Sequence, residues 1–268
     1  MTLRARWLGQ AGFWLTATGP DGDAHLLVDP YLSDSLARKY AGTTFPHVRM
    51  LPAPVAPTDL PPLHAVLCSH AHTDHMDPDT LTPLMAAQPD LRLACPRAVL
   101  DEAQRRSRAT LSRIDALADG DRIDYGPFTV TAVPAAHEER LRDGNGDDHF
   151  LGYVVEAHGI RVYHSGDCAP WDGQAERLAD LGIDVALLPV NGRDAHRLNH
   201  GVPGNFDFAE AVDLCARAGI DTLVPHHWGM FDFNTVDPAT FDLDAAARRG
   251  VRVRVPRHDG TLALAVAR

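Results

Sequence analysis

Residues 65–75 read A-V-L-C-S-H-A-H-T-D-H, an apolar run from Ala65 to Cys68 that gives way to three histidines and an aspartate within six residues. Such a run, broken abruptly by polar residues, predicts a short buried strand that feeds a loop. In extended backbone, residues two apart share a face, so His70 and His72 can aim the same way. Asp74 and His75 fall where the loop bends toward a helix. Asp77-Pro78 is an N-cap followed by proline at the first helical position, which predicts a helix over Asp79 to Ala87. Four ligand-type side chains in one loop exceed what one tetrahedral ion accepts without strain. They suit two adjacent ions completed by ligands from elsewhere in the chain.

Candidates for those ligands recur at the ends of later apolar runs. V-T-A-V-P-A-A-H ends at His137, V-Y-H-S-G-D at Asp167 and L-V-P-H-H at His226 and His227. A carboxylate such as Asp167 has two oxygens and can bridge two cations. The runs that carry these residues alternate with helical patterns. Strands are predicted over Ala5 to Leu8, Gly12 to Ala17, His25 to Val28, Leu91 to Cys95, Phe128 to Val133 and Val185 to Val190. A hairpin, Leu151 to Glu156 with Ile160 to His164, turns at His158-Gly159, and further strands are expected at Thr222 to Val224, Val251 to Val255 and Leu262 to Val266. Helices are predicted over Ser35 to Tyr40, Pro96 to Ser107, Gln174 to Leu181, Phe208 to Ala218 and Pro238 to Arg248. This mixture predicts a layered α/β fold with mixed sheets, and with no composition break it predicts one domain over residues 1–268.

Composition narrows the function. The 268 residues are 45% hydrophobic, enough for a full-sized core. Asp and Glu number 36 against 25 Lys and Arg, a net charge of -11, and Lys39 is the only lysine. An acidic surface repels phosphate backbones and disfavours a nucleic-acid partner. The cluster Arg105 to Arg108 reads as the solvated face of a helix. No apolar run is long enough for a membrane span, and the start, M-T-L-R-A-R-W-L-G-Q, lacks the pattern of a signal peptide, so a cytoplasmic protein is expected. Cys68, Cys95, Cys168 and Cys215 form no C-x-x-C pair and predict neither disulfides nor a zinc knot. Cys68 and Cys95 read as buried hydrophobes, whereas Cys168 stands beside Asp167.

Taken together, H-x-H-x-D-H, the single His137, the G-D of Asp167 and the final His227 resemble the metallo-β-lactamase superfamily. W-L-G-Q-A-G-F-W-L, L-L-V-D-P-Y-L-S-D and V-P-H-H-W-G-M-F-D-F-N-T-V-D-P are similar to the branch that contains L-ascorbate-6-phosphate lactonase. The resemblance implies an αββα sandwich, two mixed sheets flanked by helices. It implies that His70, His72 and His137 hold one metal, that Asp74, His75 and His227 hold the other, and that Asp167 bridges. His227 rather than His226 fits the branch pattern P-x-H-x-x-x-F through Pro225 and Phe231. His226 then becomes a residue that either supports the ligands from behind or faces substrate, and it or a metal-bound water would protonate the leaving group, with Asp74 and Asp167 orienting a metal-bridging hydroxide. Asp29 matches an acidic position that orients a metal-bound histidine.

The implied function is a hydrolase of a small lactone, ester or phosphoester with two divalent ions, Zn or Mn first among those that a thiolate-free ligand set suits. One departure bears on substrate: the lactonase lacks a histidine at the position of His137, which favours a full two-metal site here and weakens transfer of the ascorbate-phosphate substrate. Asn191, Arg193 and Arg197 are the candidates for substrate contact, and segments 31–62 and 191–205 for substrate selection, with Tyr31, Tyr40 and Phe45 as apolar contacts. Competing readings are a phosphodiesterase or nuclease, a mononuclear iron sulfur-dioxygenase and a non-catalytic binding protein; the glutamate ligand of flavodiiron proteins is absent. Homo-oligomers are common in the branch.

Overall fold

Apolar and polar residues alternate along the first strands, and the alternation decides which side of the sheet is core. In Thr2–Gly9 (β1), Leu3, Ala5 and Trp7 are buried while Arg4 and Arg6 are half-buried. The same pattern runs through Gly12–Gly19 (β2), with Phe13, Leu15 and Ala17 inward. The computed structural model describes residues 1–265.

Gly22–Val28 (β3), Ala65–Leu67 (β4), Arg92–Pro96 (β5) and Ile114–Leu117 (β6) complete one side of the first sheet. The second sheet is Arg122–Tyr125 (β7), Phe128–Pro134 (β8), Leu151–Ala157 (β9), Ile160–His164 (β10), Val185–Pro189 (β11), Thr222–His226 (β12) and Arg252–Val253 (β13), in that order from edge to edge. Thr261–Leu264 (β14) returns to pair antiparallel with β1. Both sheets are mixed. β1, β2 and β3 are antiparallel, then β3 to β6 run parallel. Likewise β7 to β10 are antiparallel, and β10 to β13 parallel.

The inner faces pack through one apolar layer, in which Trp7, Phe13, Leu15 and Val28 meet Phe128, Tyr153, Val155 and Leu187. Pro78–Ala87 (α2) and Leu100–Ser107 (α3) cover the first sheet through Leu81, Leu84 and Ala103. Gln174–Leu181 (α4), Phe208–Ala218 (α6) and Leu243–Arg248 (α7) cover the second through Leu178, Leu214 and Ala246. Two short helices, Ser35–Lys39 (α1) and Ala195–Asn199 (α5), lie in the loops between strands. The result is two mixed sheets flanked by helices.

Local chemistry sets several boundaries. The α2 cap is Asp77, whose side chain accepts from Asp79 N, with Pro78 opening the helix. The β9–β10 turn is His158-Gly159, both residues at positive φ, the two-residue form that matches strand twist. Three expectations need correction. The helix predicted from Pro96 begins only at Leu100, after a 3-10 turn at Arg97–Val99. The helix predicted over Pro238 to Arg248 is a 3-10 turn, Pro238–Thr240, and then α7, separated where Asp242 caps the second. The last strand stops at Leu264, and the predicted end at Val266 lies outside the described residues.

Candidate metal centre

The candidate ligand residues follow the carboxyl ends of the parallel strands, where α/β sheets open a crevice. Asp29 follows β3, Ser69 to His75 follow β4, Asp167 follows β10 and His227 follows β12. His137 lies just past β8. These loops bring His70, His72, His137 and Asp167 into one group, and Asp74, His75 and His227 into a second; within each, one potential ligand atom per residue lies within 4.8 Å of the others. Asp167 faces both groups. Its Oδ1 is 3.3 Å from His75 Nε2 and 3.2 Å from His227 Nε2, and its Oδ2 is 3.5 Å from His137 Nε2.

Hydrogen bonds to the far ring nitrogens leave the near ones free. Asp29 is fully buried, and its Oδ2 accepts from His75 Nδ1 at 2.7 Å. The same carboxylate accepts from Ser69 N at 2.7 Å and from Ser69 Oγ at 2.6 Å. With its proton so engaged, Ser69 Oγ accepts from His70 Nδ1 at 2.9 Å. His137 Nδ1 donates to Gly204 O at 3.2 Å. One carboxylate thereby sets the tautomer of two histidines, the arrangement that orients imidazole ligands. Ser69 was not among the expected residues.

Gln10 is another residue that sequence reasoning passed over, although its motif, W-L-G-Q-A-G-F, was noted. It is fully buried, donates from Nε2 to Asp74 Oδ2 at 2.8 Å, and touches His227 Nε2 at 3.0 Å. Its carbonyl accepts from His227 N at 2.9 Å. Gln10, Asp29 and His227 all have left-handed backbone, with φ of 51°, 45° and 63°. For non-glycine residues that conformation costs energy and persists where the surroundings enforce it, as at functional sites.

The donor set fits metal ions. His70 Nε2, His75 Nε2 and Asp167 Oδ1 are buried with no hydrogen-bond partner, an expensive arrangement unless a ligand completes it. Charge agrees. Burial works against a proton on His75, but Asp167, Asp29 and Asp74 outweigh it and raise its pKa well above the ordinary imidazole value. Burial also opposes the Asp167 charge, yet His227 and His75 hold that carboxyl well below the usual range. His137 goes the other way: burial pushes it down to about 4, keeping its ring neutral. Asp74 and Asp167 thus meet on the Nε2 side of His75 and call for positive charge there, beside the neutral ring of His137.

A cleft of about 190 Å³ opens above these groups, lined by His72, Asp74, His137, Asp167 and His227. Both segments expected to select substrate reach it, through Tyr40 and otherwise through residues other than those expected. Leu36, Lys39, Tyr40 and His47 come from the first, and Gly201, Val202 and Pro203 from the second. Tyr40 was anticipated; Tyr31 is instead buried against Phe231, and Phe45 stacks on Phe233.

Four expected site residues are not brought to the cleft. His226 is fully buried at the end of β12, stacked on His164 at 4.9 Å and edge-on to Phe13 at 5.6 Å. Alternation along the strand turns it into the core, so it does not face substrate. Arg193 is held by Glu210 in a two-pronged pair, both contacts 2.6 Å. Arg197 is held by Asp194, by Asn191 O and by Asn234 Oδ1. Asn191 is buried and donates to Asn234 Oδ1 at 2.7 Å, so only Asn234 of this network lines the cleft. The cations at the cleft are Lys39 and Arg106, the latter a member of the cluster read as a solvated helix face.

Comparison with known proteins agrees with this geometry. The family described as the beta-lactamase superfamily domain matches residues 25–228. A metal-dependent hydrolase of Opitutus terrae is 30% identical over 257 residues, 94% of this chain and 96% of that protein. In shape, the chain is similar to an isothiocyanate hydrolase from Delia radicum gut bacteria (TM-score 0.73, 18% identity, 98% of this chain and 100% of that one). It is also similar to CmlA, a diiron beta-hydroxylase from Streptomyces venezuelae (TM-score 0.70, 16% identity, 98% of this chain and 54% of that one).

Proposed function

This chain belongs to the metallo-β-lactamase superfamily, and from that premise we propose that it is a metal-dependent hydrolase of a small lactone, ester or phosphoester. The observation that carries the reading is the position of Asp167, with one oxygen toward His75 and His227 and the other toward His137. A residue so placed supports a pair of ions over a single one. His70, His72 and His137 would hold one ion, Asp74, His75 and His227 the other, and Asp167 both. Two divalent cations held there, Zn or Mn by this ligand chemistry, would acidify a water toward a pKa of ~7 and polarise a substrate oxygen.

The chain's own residues supply the setting. Asp29 and Ser69 fix the rings of His75 and His70 with their acceptor nitrogens inward. Gln10 holds Asp74 against rotation. Phe150 packs on His70, His72 and His137 with ring centroids at 5.2, 6.1 and 5.5 Å and forms an apolar wall beside that group. Buried His226 has no path to a leaving group, so that role is withdrawn. The finer likeness to the ascorbate-6-phosphate lactonase branch rests on motifs alone, and makes a lactone the first substrate to try. The acidic net charge argues for a small molecule over a nucleic acid, and we place the protein in the cytoplasm. Among the described residues no helix is long and apolar enough to cross a membrane.

Elemental analysis of protein purified without chelator tests the site, with a panel of lactones, esters and phosphodiesters to test the reaction. About two Zn or Mn ions per chain are expected, and His137→Ala and His227→Ala should each lower that content. Wild-type metal content in both variants would refute the assignment. A single iron per chain, with no hydrolysis across the panel, would favour the mononuclear oxygenase instead.

A further inference from the structure

The cleft holds about 190 Å³, less than the ~300–1,000 Å³ of sites for drug-sized ligands, so its occupant is small. Its two cations differ in what they are already doing. Arg106 donates to Glu102 and to Met76 O, which commits its guanidinium to the fold. Lys39, the last residue of α1 and the chain's only lysine, is exposed and enters no ion pair or hydrogen bond among the described residues. Its neighbour Arg38 is already paired with Asp79. The Lys39 ammonium lies 4.8 Å from the centre of the Tyr40 ring, which also lines the cleft. A cation–π contact at an open site is weak beside a charge-assisted hydrogen bond, so it holds the stem in place and leaves the ammonium free to engage an anion. In a chain with 36 acidic side chains, an unpaired ammonium at the mouth of the site is a specific feature.

We infer that Lys39 receives an anionic group of the substrate, which is therefore a small carboxylate- or phosphate-bearing molecule whose hydrolysable bond reaches the Asp74 and Asp167 end of the cleft. The reaction in this statement rests on the hydrolase reading; the anion contact does not. It also replaces Arg193 and Arg197, whose charges are spent elsewhere.

Because Lys39 is the single lysine, protein grown with ε-¹³C-lysine gives one side-chain signal. Titration of the metal-loaded protein with glutarate, and separately with inorganic phosphate, should move that signal saturably, and the tighter of the two identifies the anion. Calorimetry with that anion should show about tenfold weaker binding by Lys39→Met, partly restored in Lys39→Arg. A signal unmoved by both anions, or equal affinity in Lys39→Met, overturns the inference. In kinetics, the ratio of KM for the 4-nitrophenyl monoester of glutaric acid to KM for neutral 4-nitrophenyl butyrate should rise about tenfold in Lys39→Met. An unchanged ratio counts against Lys39. No turnover of either ester by the wild type would count against the ester form of the hydrolase reading only, and would leave the titration to decide the anion contact.

Discussion

At Asp29 both carboxylate oxygens are committed, Oδ1 to the Ser69 backbone and Oδ2 to Ser69 Oγ and His75 Nδ1. Removing the carboxylate frees two ring orientations at once. Asp29→Ala, and the better-packed Asp29→Asn, should weaken metal affinity by ~10–100-fold, measured by competition with a chromophoric chelator. Wild-type affinity in Asp29→Asn would show that the carboxylate matters only to the fold. A second residue, His164, makes a pH prediction. Its Nε2 donates to Ala11 O at 2.7 Å and its Nδ1 accepts from Gly166 N at 3.0 Å, so the buried ring is neutral with both nitrogens used. Burial depresses its pKa below the ordinary 6.5. With the folded value depressed, the unfolded chain takes the proton first. The contribution to stability is therefore complete above about pH 6.5 and is lost as pH falls from there toward the folded pKa. Melting of metal-free protein between about pH 7.5 and 5.5 should fall more steeply for the wild type than for His164→Gln. Parallel curves would remove His164 from the account. At this scale the clustered candidate ligands were legible because they stand at the ends of apolar runs. The roles of Arg193 and Arg197 were not: Asp194 is local to Arg197, but Glu210 and Asn234 lie 17 and 37 residues from Arg193 and Arg197, and only the fold brings them close.

The loops that carry the candidate ligands depend on close approach between elements. Gly166, in the loop after β10, is at φ 63°, and a Cβ there would lie 2.5 Å from Ser69 Cβ. Ser69 cannot give way, because Asp29 holds both its backbone and its hydroxyl. Gly166→Ala should therefore destabilise the fold by more than ~1 kcal/mol, lowering Tm by at least ~2–4 °C, and should loosen metal retention by displacing Asp167. An unchanged Tm with full metal content would mean that the two loops have slack the geometry does not suggest. The cap of α6 offers a cleaner measure of local chemistry. Asp207 accepts from Glu210 N while the Glu210 side chain accepts from Asp207 N, a capping box. Asp207→Ala should cost about 1 kcal/mol by denaturant unfolding, with the metal content kept. The Asp77 cap of α2 and the β9–β10 turn were readable because they are local. β6 and β7 were missed for the opposite reason: each is four residues long and only partly buried, with Asp115, Arg122 and Asp124 interrupting any apolar period. Their pairing with β5 and β8 comes from the sheet, not from their own sequence.

Across the molecule, the four cysteines report on how the layers hold together. Cys68 and Cys95 lie between the first sheet and its helices, and Cys168 and Cys215 between the second sheet and its helices. All four are free and fully buried. Burial pushes the thiols of Cys95, Cys168 and Cys215 up to about 12 and raises Cys68 as well. Cys168, which the sequence set apart because it adjoins Asp167, accepts contacts from Ala136 N at 3.5 Å and Gln174 Nε2 at 3.4 Å. It therefore packs behind the site and takes no part in nucleophilic chemistry, since the reactive form of a thiol is the thiolate. A thiol reagent such as Ellman's can reach these sulfurs only when a helical layer lifts from its sheet. Native protein at neutral pH should show almost no fast labelling, and four equivalents should react in denaturant. Because one apolar layer joins the two sheets, the slow native-state labelling of all four should share a single rate that tracks global unfolding. Mass spectrometry of the time course decides it. If Cys168 and Cys215 label together well before Cys68 and Cys95, the second sheet and its helices open as a separate unit. Prompt modification of Cys168 alone would instead place that thiol in contact with the cleft.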